Sequence, residues 1–465
     1  MKTLPWLIAL LVFAAPARAD LAQELRARLG QSAKTEWTAL VLDGDQVVFA
    51  LDADTPRVPA SNMKLVTTAA ALSLLGADFH HETTLVVERP PKAGVVQGHL
   101  FVIGGGDPTI SRRFDPEPLL SDWAEKLKSS GVTKIEGDLV ADDRCFEALQ
   151  VHPDWEPSDL EKWYGAAISG LSLNDNCVDV SVGGGKGGVE VVLRPPSDYF
   201  RVDQDAQLVG SKKQHRFGVV RTGDDRRVLR ITGKVWSGAH PYEASIPAPD
   251  PTLFFLHVLR ARLQEAGIEV TGTCRRLEGE EAPDGLTVYK RRAPLPRTLQ
   301  VTNQRSQNFY AECLLKTVGK VKGGRGSWLS GAQEVRGFAL EVGAPKTQVI
   351  VADGSGLSRE NRLSARALTT VLAHMAQGQD LAIYRDSLAR PGEEGTLQRR
   401  LRGLPAGAEV FAKTGTLTGV SALSGYLEVG GKRLVFALIG NGGGTGTIRN
   451  AMDAVVERVA KHYAK

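Results

Sequence analysis

The sequence predicts an α+β protein in which a five-stranded antiparallel sheet with helices on both faces is interrupted by a large β-rich insert. Three observations lead to this fold class. A hairpin and an apolar helix open the chain, short β-branched runs between turns fill its middle, and helices followed by three strands close it. Because insertion is tolerated where the ends of a loop lie close together, we expect the two terminal parts to build one domain.

The opening hairpin is indicated by apolar runs at 37–42 and 46–51, on either side of Asp43-Gly44. This dipeptide between alternating strands strongly favours a hairpin turn. A short helix is predicted before it, at 21–29. Residues 61–76 then predict an apolar helix with a serine at its start and a glycine at its end.

The middle of the chain, from about residue 83 to about 287, is rich in β-branched runs separated by Gly, Pro and Asp. Two segments within it resemble each other, 96–107 and 135–142. A helix is predicted near its end, at 253–266. This region is therefore expected to be a β-rich insert of one or two subdomains.

The closing part is predicted to be helical first and then to form strands. The predicted helices are 309–318, 332–342 and 448–463, and the predicted strands are 413–417, 421–429 and 433–440. Gly430-Gly431 joins the last two strands. The resulting domain limits are 1–19 for a signal peptide, 20–85 with 290–465 for one discontinuous domain, and 86–289 for the inserted region.

Composition limits the possible function classes. Of 465 residues, 42% are hydrophobic and 24% charged, as in folded proteins, and the net charge is only +4. No basic run with interleaved aromatics is present, so a nucleic-acid role has little support.

The N-terminus begins with Lys2, continues with an apolar stretch and ends in Ala17-Arg18-Ala19. This pattern predicts a signal peptide cut after Ala19, with a short anchor helix as the alternative. No later run of about 18 apolar residues follows. We therefore expect a periplasmic or otherwise extracytoplasmic protein without stable membrane insertion.

Metal and cofactor motifs are not found in the sequence. The four cysteines Cys145, Cys177, Cys274 and Cys313 form no C-x-x-C pair, and three disulfide pairings among them remain open. There is no G-x-S-x-G, H-E-x-x-H or G-x-x-x-x-G-K-[ST] motif. We expect neither a metal ion nor an organic cofactor.

A candidate nucleophile is Ser61, which begins the only S-x-x-K motif, with Lys64. Positions i and i+3 of a helix share a face, so the amine can reach the hydroxyl. A lysine can activate a serine if burial lowers its pKa. The plainer alternative is a helix-capping serine beside a solvated lysine.

Two further motifs support the interpretation of Ser61 as a nucleophile. Ser306-Gln-Asn308 precedes a helical segment, whereas a second S-x-N, at Ser172, lies in the β-rich insert. The triplet Lys413-Thr414-Gly415 opens a predicted strand, and its lysine and threonine can hold a carboxylate. The alternative for this triplet is an ordinary edge strand protected by a lysine.

With these motifs in this order, the sequence resembles the class C low-molecular-mass penicillin-binding proteins, the D-alanyl-D-alanine carboxypeptidase/endopeptidase family. The long separation between Ser61 and Ser306 leaves room for the large insert of that family. Further matching stretches are 104–109, 353–358 and 395–397. The implied fold is a β-lactamase/transpeptidase-like domain.

The resemblance also implies residue roles. Ser61 is acylated, Lys64 takes its proton, and Ser306 relays that proton with support from Lys413. The remaining implied roles are substrate binding by Asn308, Lys413, Thr414 and Gly415, and an oxyanion hole formed by the backbone N–H groups of Ser61 and Thr416.

The implied substrates are peptidoglycan stem peptides, with β-lactams as inhibitors that form a stable acyl-enzyme. The balance of carboxypeptidase and endopeptidase action, the preferred diamino acid, the oligomeric state and the role of the insert remain open. Two alternatives are a β-lactamase and a non-catalytic wall-binding or sensor protein on the same fold.

Overall fold

The computed structural model describes residues 14–32, 34–112, 119–279 and 284–464, with side chains from residue 20 onward. Residues 1–13, most of the predicted signal peptide, lie outside the described residues. The chain divides into two compact units. Unit 1 comprises Met1–Ala77, Leu299–Ala311 and Ala332–Lys465, and unit 2 comprises Asp78–Thr298 and Glu312–Gly331.

The described residues form helices, strands and short 3₁₀ turns. The helices are α1 (Ala14–Gly30), α2 (Met63–Leu75), α3 (Ser121–Ser129), α4 (Pro251–Glu265), α5 (Leu295–Gln304), α6 (Asn308–Gly323), α7 (Trp328–Glu341), α8 (Ala365–Gln377), α9 (Leu381–Asp386) and α10 (Thr445–Tyr463). The strands are β1 (Glu36–Asp43), β2 (Gln46–Leu51), β3 (His80–Val87), β4 (Val95–Val96), β5 (Leu100–Ile103), β6 (Lys134–Ile135), β7 (Leu139–Asp142), β8 (Cys177–Gly185), β9 (Gly188–Arg194), β10 (Arg201–Val209), β11 (Arg216–Thr222), β12 (Val228–Trp236), β13 (Tyr242–Pro247), β14 (Glu269–Val270), β15 (Cys274–Arg276), β16 (Leu286–Pro294), β17 (Val349–Ile350), β18 (Arg362–Leu363), β19 (Glu409–Leu417), β20 (Val420–Val429) and β21 (Lys432–Asn441). The 3₁₀ turns are Ala60–Asn62, Trp163–Gly165, Asn174–Asn176, Lys212–Gln214 and Lys346–Gln348.

Unit 1 is organised around an antiparallel five-stranded sheet in the order β19-β20-β21-β1-β2. The predicted opening hairpin is present, and Gly44 adopts the positive φ of 59° that its turn needs. Gly430 and Gly431 do the same between β20 and β21, with φ of 59° and 72°. The two ends of the chain therefore build one sheet.

Helices cover both faces of this sheet because alternate residues of each strand point to opposite sides. On one face, the core joins Leu25 of α1 and Val455 of α10 to the sheet. On the other, the Tyr426 hydroxyl donates a hydrogen bond to the carbonyl of Leu372 in α8, at 2.8 Å. The predicted α+β class, with helices on both faces of the sheet, is confirmed.

Unit 2 is rich in short strands. Its largest sheet has the order β15-β7-β5-β3-β16, and three smaller sheets have the orders β14-β6-β4, β13-β8-β9 and β10-β12-β11. Helix α4 begins where Asp250 Oδ1 accepts a hydrogen bond from Leu253 N, at 3.0 Å, a typical N-cap.

A sequence repeat explains part of unit 2. Segments 96–107 and 135–142, which look alike, form two parallel ladders, β4 with β6 and β5 with β7. The structure reveals a third copy at 269–276, because β14 and β15 extend the same ladders. Gly137 N donates to the Gly98 carbonyl at 2.9 Å, and a Cβ on Gly137 would lie only 2.3 Å from that oxygen. Glycine is therefore needed where these copies stack.

The limits of the units differ from the predicted limits of 20–85, 86–289 and 290–465. The first break follows Ala77 rather than residue 85, because β3 pairs with β5 and β16 of unit 2. Glu312–Gly331 also belongs to unit 2. Its buried Lys316 contacts Glu147 Oε1 and the Leu149 carbonyl, each at 3.0 Å.

The described residues can be compared with what the sequence predicts about membrane insertion and about the four cysteines. Among the described residues, no helix combines the length and the apolar character needed to cross a bilayer. Cys145, Cys274 and Cys313 are free thiols, and the Cys177 thiol donates to the carbonyl of Asp175.

Candidate active site

Ser61 lies in the 3₁₀ turn that leads directly into α2. The helix proper starts at Met63, and Asn62 is its N-cap residue without a side-chain cap hydrogen bond. Ser61 therefore does not cap the helix. Its Oγ instead accepts a hydrogen bond from Lys64 Nζ at 3.0 Å. The S-x-x-K spacing thus places the amine directly on the hydroxyl.

Lys64 is fully buried and is held by acceptors from separate parts of unit 1. Besides Ser61, Nζ contacts Asn308 Oδ1 and the carbonyl oxygen of Ser355, both at 2.7 Å. A lysine ammonium has three donors, enough to serve these three acceptors. In its neutral form, an amine fixed in this position can accept the proton of the Ser61 hydroxyl.

A second lysine–serine pair lies in the same unit. Lys413 Nζ donates to Ser306 Oγ at 2.7 Å and to the Thr414 carbonyl at 2.7 Å. Burial lowers the pKa of Lys413 well below its usual value, and the positive charge of Lys64 lowers it further. The Lys413 ammonium therefore loses its proton more readily than an exposed lysine does.

The backbone is strained on both sides of this arrangement. Ala60, next to Ser61, has a φ of 47°, and Ser306 has a φ of 60°. For residues other than glycine, such conformations cost about 1–3 kcal/mol each and are common at functional sites. The geometry of Ser306 cannot be read from a three-letter motif, because it depends on the connection between α5 and α6.

Strand β19 carries the Lys413-Thr414-Gly415 triplet past the Ser61 turn. A Cβ on Gly415 would lie 2.9 Å from the Pro59 carbonyl oxygen and 3.2 Å from the backbone nitrogen of Ser61. Glycine allows this close approach. Thr414 is buried, whereas Thr416 is exposed at the end of the strand.

The loop 353–358 supplies a contact to Lys64 that the sequence alone does not predict. Asp353, which is fully buried, accepts hydrogen bonds from the backbone nitrogens of Gly356 at 2.7 Å and Ser358 at 2.6 Å. These bonds fix the loop that presents the Ser355 carbonyl to Lys64. The sequence feature that indicates this loop is its Asp-Gly-Ser-Gly run, which is typical of a turn.

Gly356 ties this loop to the nucleophile turn, and replacing it by alanine is expected to destabilise the protein. Its φ is 81°, and a Cβ would lie 1.9 Å from the Ala60 carbonyl oxygen. We expect the free energy of unfolding to fall by at least about 2 kcal/mol for Gly356→Ala. Urea denaturation measures this change.

The matched control is Gly337→Ala, in helix α7, where nothing lies within 4 Å of the added Cβ. It is expected to raise stability by about 0.5–1 kcal/mol. Equal stabilities of the two variants would contradict the packing described for Gly356.

Other motif matches serve local structure. Gly395-Thr-Leu397 is tied to the end of α5, where Thr396 N donates to the Gln304 carbonyl at 3.1 Å. In unit 2, Ser172 Oγ donates to the Ser169 carbonyl at 3.0 Å. Asp107, in the stretch 104–109, is paired with Arg291 Nε at 3.1 Å. In the described part of the chain, no cluster of three or more His, Cys, Asp or Glu residues suits a metal ion.

The site thus combines the three motifs in one unit, and residues 21–462 match the D-Ala-D-Ala carboxypeptidase 3 (S13) family. The chain belongs to the S13 family. One relative, the D-alanyl-D-alanine carboxypeptidase of Actinomadura sp. (strain R39), is 31% identical over 432 residues, covering 89% of this chain and 79% of that protein. The D-alanyl-D-alanine carboxypeptidase DacB of Haemophilus influenzae is 26% identical, covering 94% and 92%.

The fold is also shared with a solved structure. Penicillin binding protein 4 (dacB) from Haemophilus influenzae superposes with a TM-score of 0.80 at 24% identity, covering 96% of this chain and 99% of that one. A second structure of that protein, with a TM-score of 0.74, 23% identity and coverage of 96% and 99%, holds a β-lactam.

S13 membership confirms the resemblance to the class C low-molecular-mass penicillin-binding proteins. It also confirms the prediction of a serine-type D-Ala-D-Ala carboxypeptidase, a peptidase and thus a hydrolase. The roles of the individual residues remain predictions.

Proposed function

We propose that this chain cleaves the D-Ala–D-Ala bond of peptidoglycan stem peptides through an acyl-enzyme on Ser61. The observation that carries this proposal is the hydrogen bond of 3.0 Å between Lys64 Nζ and Ser61 Oγ. A serine hydroxyl is a weak nucleophile until a base removes its proton, and Lys64 is the base within reach.

Acylation begins when the Ser61 proton moves to Lys64 Nζ and Oγ forms a bond to the carbonyl carbon. Contacts to Asn308 and the Ser355 carbonyl hold Nζ in place for this transfer. The developing oxyanion is bound by the backbone N–H groups of Ser61 and Thr416. The N-terminal end of α2 adds partial positive charge beside it.

The leaving D-alanine needs a proton on its nitrogen as the C–N bond breaks. Ser306 passes this proton on, and Lys413, at 2.7 Å from Ser306 Oγ, supports the transfer. Lys413 and Thr414 also bind the terminal carboxylate, Gly415 gives the peptide room along β19, and Asn308 binds an amide of the acyl group. Water then hydrolyses the ester and returns a proton to Ser61.

The proposed location is the periplasm or another extracytoplasmic compartment, where peptidoglycan lies. The positively charged start, apolar stretch and small residues of 1–19 support export. β-Lactams would enter the same acylation route, since they present a strained amide next to a carboxylate.

The deciding experiment is digestion of purified cross-linked muropeptides and of a free pentapeptide, with the products identified by mass. Release of D-alanine reports carboxypeptidase action, and separation of cross-linked peptides reports endopeptidase action. Release of neither product would reject the proposal. Loss of a labelled penicillin from the protein within seconds would indicate a β-lactamase instead.

The pH dependence tests the role of Lys413. Because its folded-state pKa is lowered, the charged form that binds the carboxylate is lost as the pH rises through this lowered value. We expect kcat/KM for the pentapeptide to fall at a pH well below the usual pKa of lysine. In Lys413→Arg the guanidinium stays charged, so the alkaline fall is expected to move upward.

Steady-state rates from pH 6 to 11 measure this shift, and circular dichroism checks that the variant is folded. An alkaline limb at the same pH in both proteins would assign the titration to another group.

A further inference from the structure

Unit 2 contains a groove of about 1010 Å³. We call it the insert groove. Its lining comes from β13, from the end of β9, from β11 and from the turn around Trp163–Gly165. All of these elements belong to unit 2, whereas the residues proposed for catalysis belong to unit 1. Its volume is at the upper end of the range of small-molecule sites, which is about 300–1,000 Å³.

Part of the groove lining is an ion-pair cluster around Glu161. Glu161 contacts Arg221 Nη2 at 3.0 Å and also pairs with Arg226. Arg221, whose side chain is only 6% exposed, further donates to the carbonyl oxygens of Pro247 at 2.8 Å and Leu160 at 3.3 Å. The Arg221 side chain thus connects the turn at Leu160 to β13 through hydrogen bonds that need no ligand.

The groove also presents cations without carboxylate partners. Five basic and three acidic side chains line it. Arg194 and Lys162 are exposed, and neither forms an ion pair with any residue that the structure describes. Arginine binds carboxylates through paired N–H donors, and lysine binds them as a point charge. A ligand with carboxylates therefore complements this lining.

Two aromatic side chains are exposed in the same groove. Trp163 is 39% and Tyr242 is 47% exposed. Such rings offer a flat apolar face together with a polar edge, and they are enriched where proteins bind partly apolar ligands. The apolar face of a sugar ring suits them, and the acidic Glu243, which also lines the groove, can accept hydrogen bonds from hydroxyl or amide groups.

We propose that the insert groove binds a carboxylate-bearing segment of peptidoglycan, an N-acetylated disaccharide together with its acidic stem peptide. The sugar rings stack on Trp163 and Tyr242, and the peptide carboxylates pair with Arg194 and Lys162. This inference rests on the proposed function for the choice of polymer. In this proposal, the insert binds a part of the polymer that does not include the cleaved bond.

The test uses a disaccharide tetrapeptide, which lacks the D-Ala–D-Ala bond, and the full-length protein acylated beforehand with penicillin so that Ser61 is blocked. Isothermal titration calorimetry measures the Kd. We expect Lys162→Ala/Arg194→Ala, and separately Trp163→Ala, to raise the Kd by at least about tenfold, which corresponds to about 1.4 kcal/mol. Raising the salt concentration should weaken binding to the wild type more than to the double variant.

The matched control is Lys212→Ala/Lys213→Ala, which removes two exposed charges of unit 2 outside the groove lining. It is expected to bind like the wild type. Absence of wild-type binding at millimolar ligand, or groove variants that bind like the wild type, would overturn the inference. Equal binding of the peptide-free disaccharide, or of a DNA oligonucleotide, would also overturn it.

The proposed function is tested separately, through D-alanine release from a free pentapeptide. All groove variants are expected to keep this activity, since none of them changes unit 1. If the wild type released no D-alanine, the proposed function would fail. The same titration, repeated without prior penicillin treatment, would still report on the groove, because the disaccharide tetrapeptide lacks the D-Ala–D-Ala bond.

Discussion

Replacing Ser61 by alanine is expected to lower kcat for D-alanine release by about 10⁴- to 10⁶-fold, the range found when a nucleophilic serine is removed. No other hydroxyl is expected to replace it, because Lys64 Nζ is fixed at 3.0 Å from Ser61 Oγ. The measurements are D-alanine release from the pentapeptide and the mass increase after incubation with penicillin. In Ser61→Ala the mass increase should be absent, and D-alanine release should be slower by the factor given above.

The control for this variant is Ser73→Ala, an exposed serine on the same helix α2. It should be acylated and should release D-alanine like the wild type. A mass increase in Ser61→Ala equal to that of the wild type would place the acyl group on another residue and would contradict the mechanism.

Lys64→Met is expected to slow acylation by penicillin by about 10²- to 10⁴-fold, the usual contribution of a general base. Methionine is similar in length but has no amine, so the Ser61 proton has no acceptor. The same change leaves the Asn308 Oδ1 and Ser355 carbonyl oxygens without the Lys64 donor. Stopped-flow acylation with a fluorescent penicillin measures the rate, and thermal unfolding checks the fold.

A conservative change at the same position serves as a control. Lys64→Arg keeps a positive charge, but its guanidinium does not give up a proton at any pH at which the protein is folded. It is therefore expected to be as slow as Lys64→Met. If either variant were acylated at the wild-type rate, Lys64 would not be the base.

Much of unit 1 was predictable because its signals are local. The Asp43-Gly44 turn and the apolar helix after Ser61 each depend on neighbouring residues, and so does the Gly430-Gly431 turn. Helix bounds were less predictable. The sequence pattern predicts a helix that starts at Ser61, whereas a 3₁₀ turn occupies Ala60–Asn62.

For unit 2, the sequence predicts the abundance of short strands but not how all of them pair. Its β-rich composition was evident, but the third copy of the repeat, at β14 and β15, is separated from the second by more than a hundred residues and shares mainly a glycine with it. Its membership in the repeat follows from pairing with β6 and β7, which the sequence does not encode locally.

The groups proposed for catalysis are recognisable from the sequence. The spacing of Ser61 and Lys64 on one helical turn brings amine and hydroxyl together, and the motifs at Ser306 and Lys413 identify the family. These facts rest on side chains that are close in sequence or that form recognisable triplets.

How these groups are held depends on contacts that form only in the folded chain. Lys64 reaches Asn308 and the Ser355 carbonyl across more than two hundred residues, and Lys413 reaches Ser306 across about a hundred. A backbone carbonyl such as that of Ser355 leaves no signature in the residue type, because every residue has one. Its direction depends on the buried Asp353 and on the close packing of Gly356, which exist only once the chain has folded.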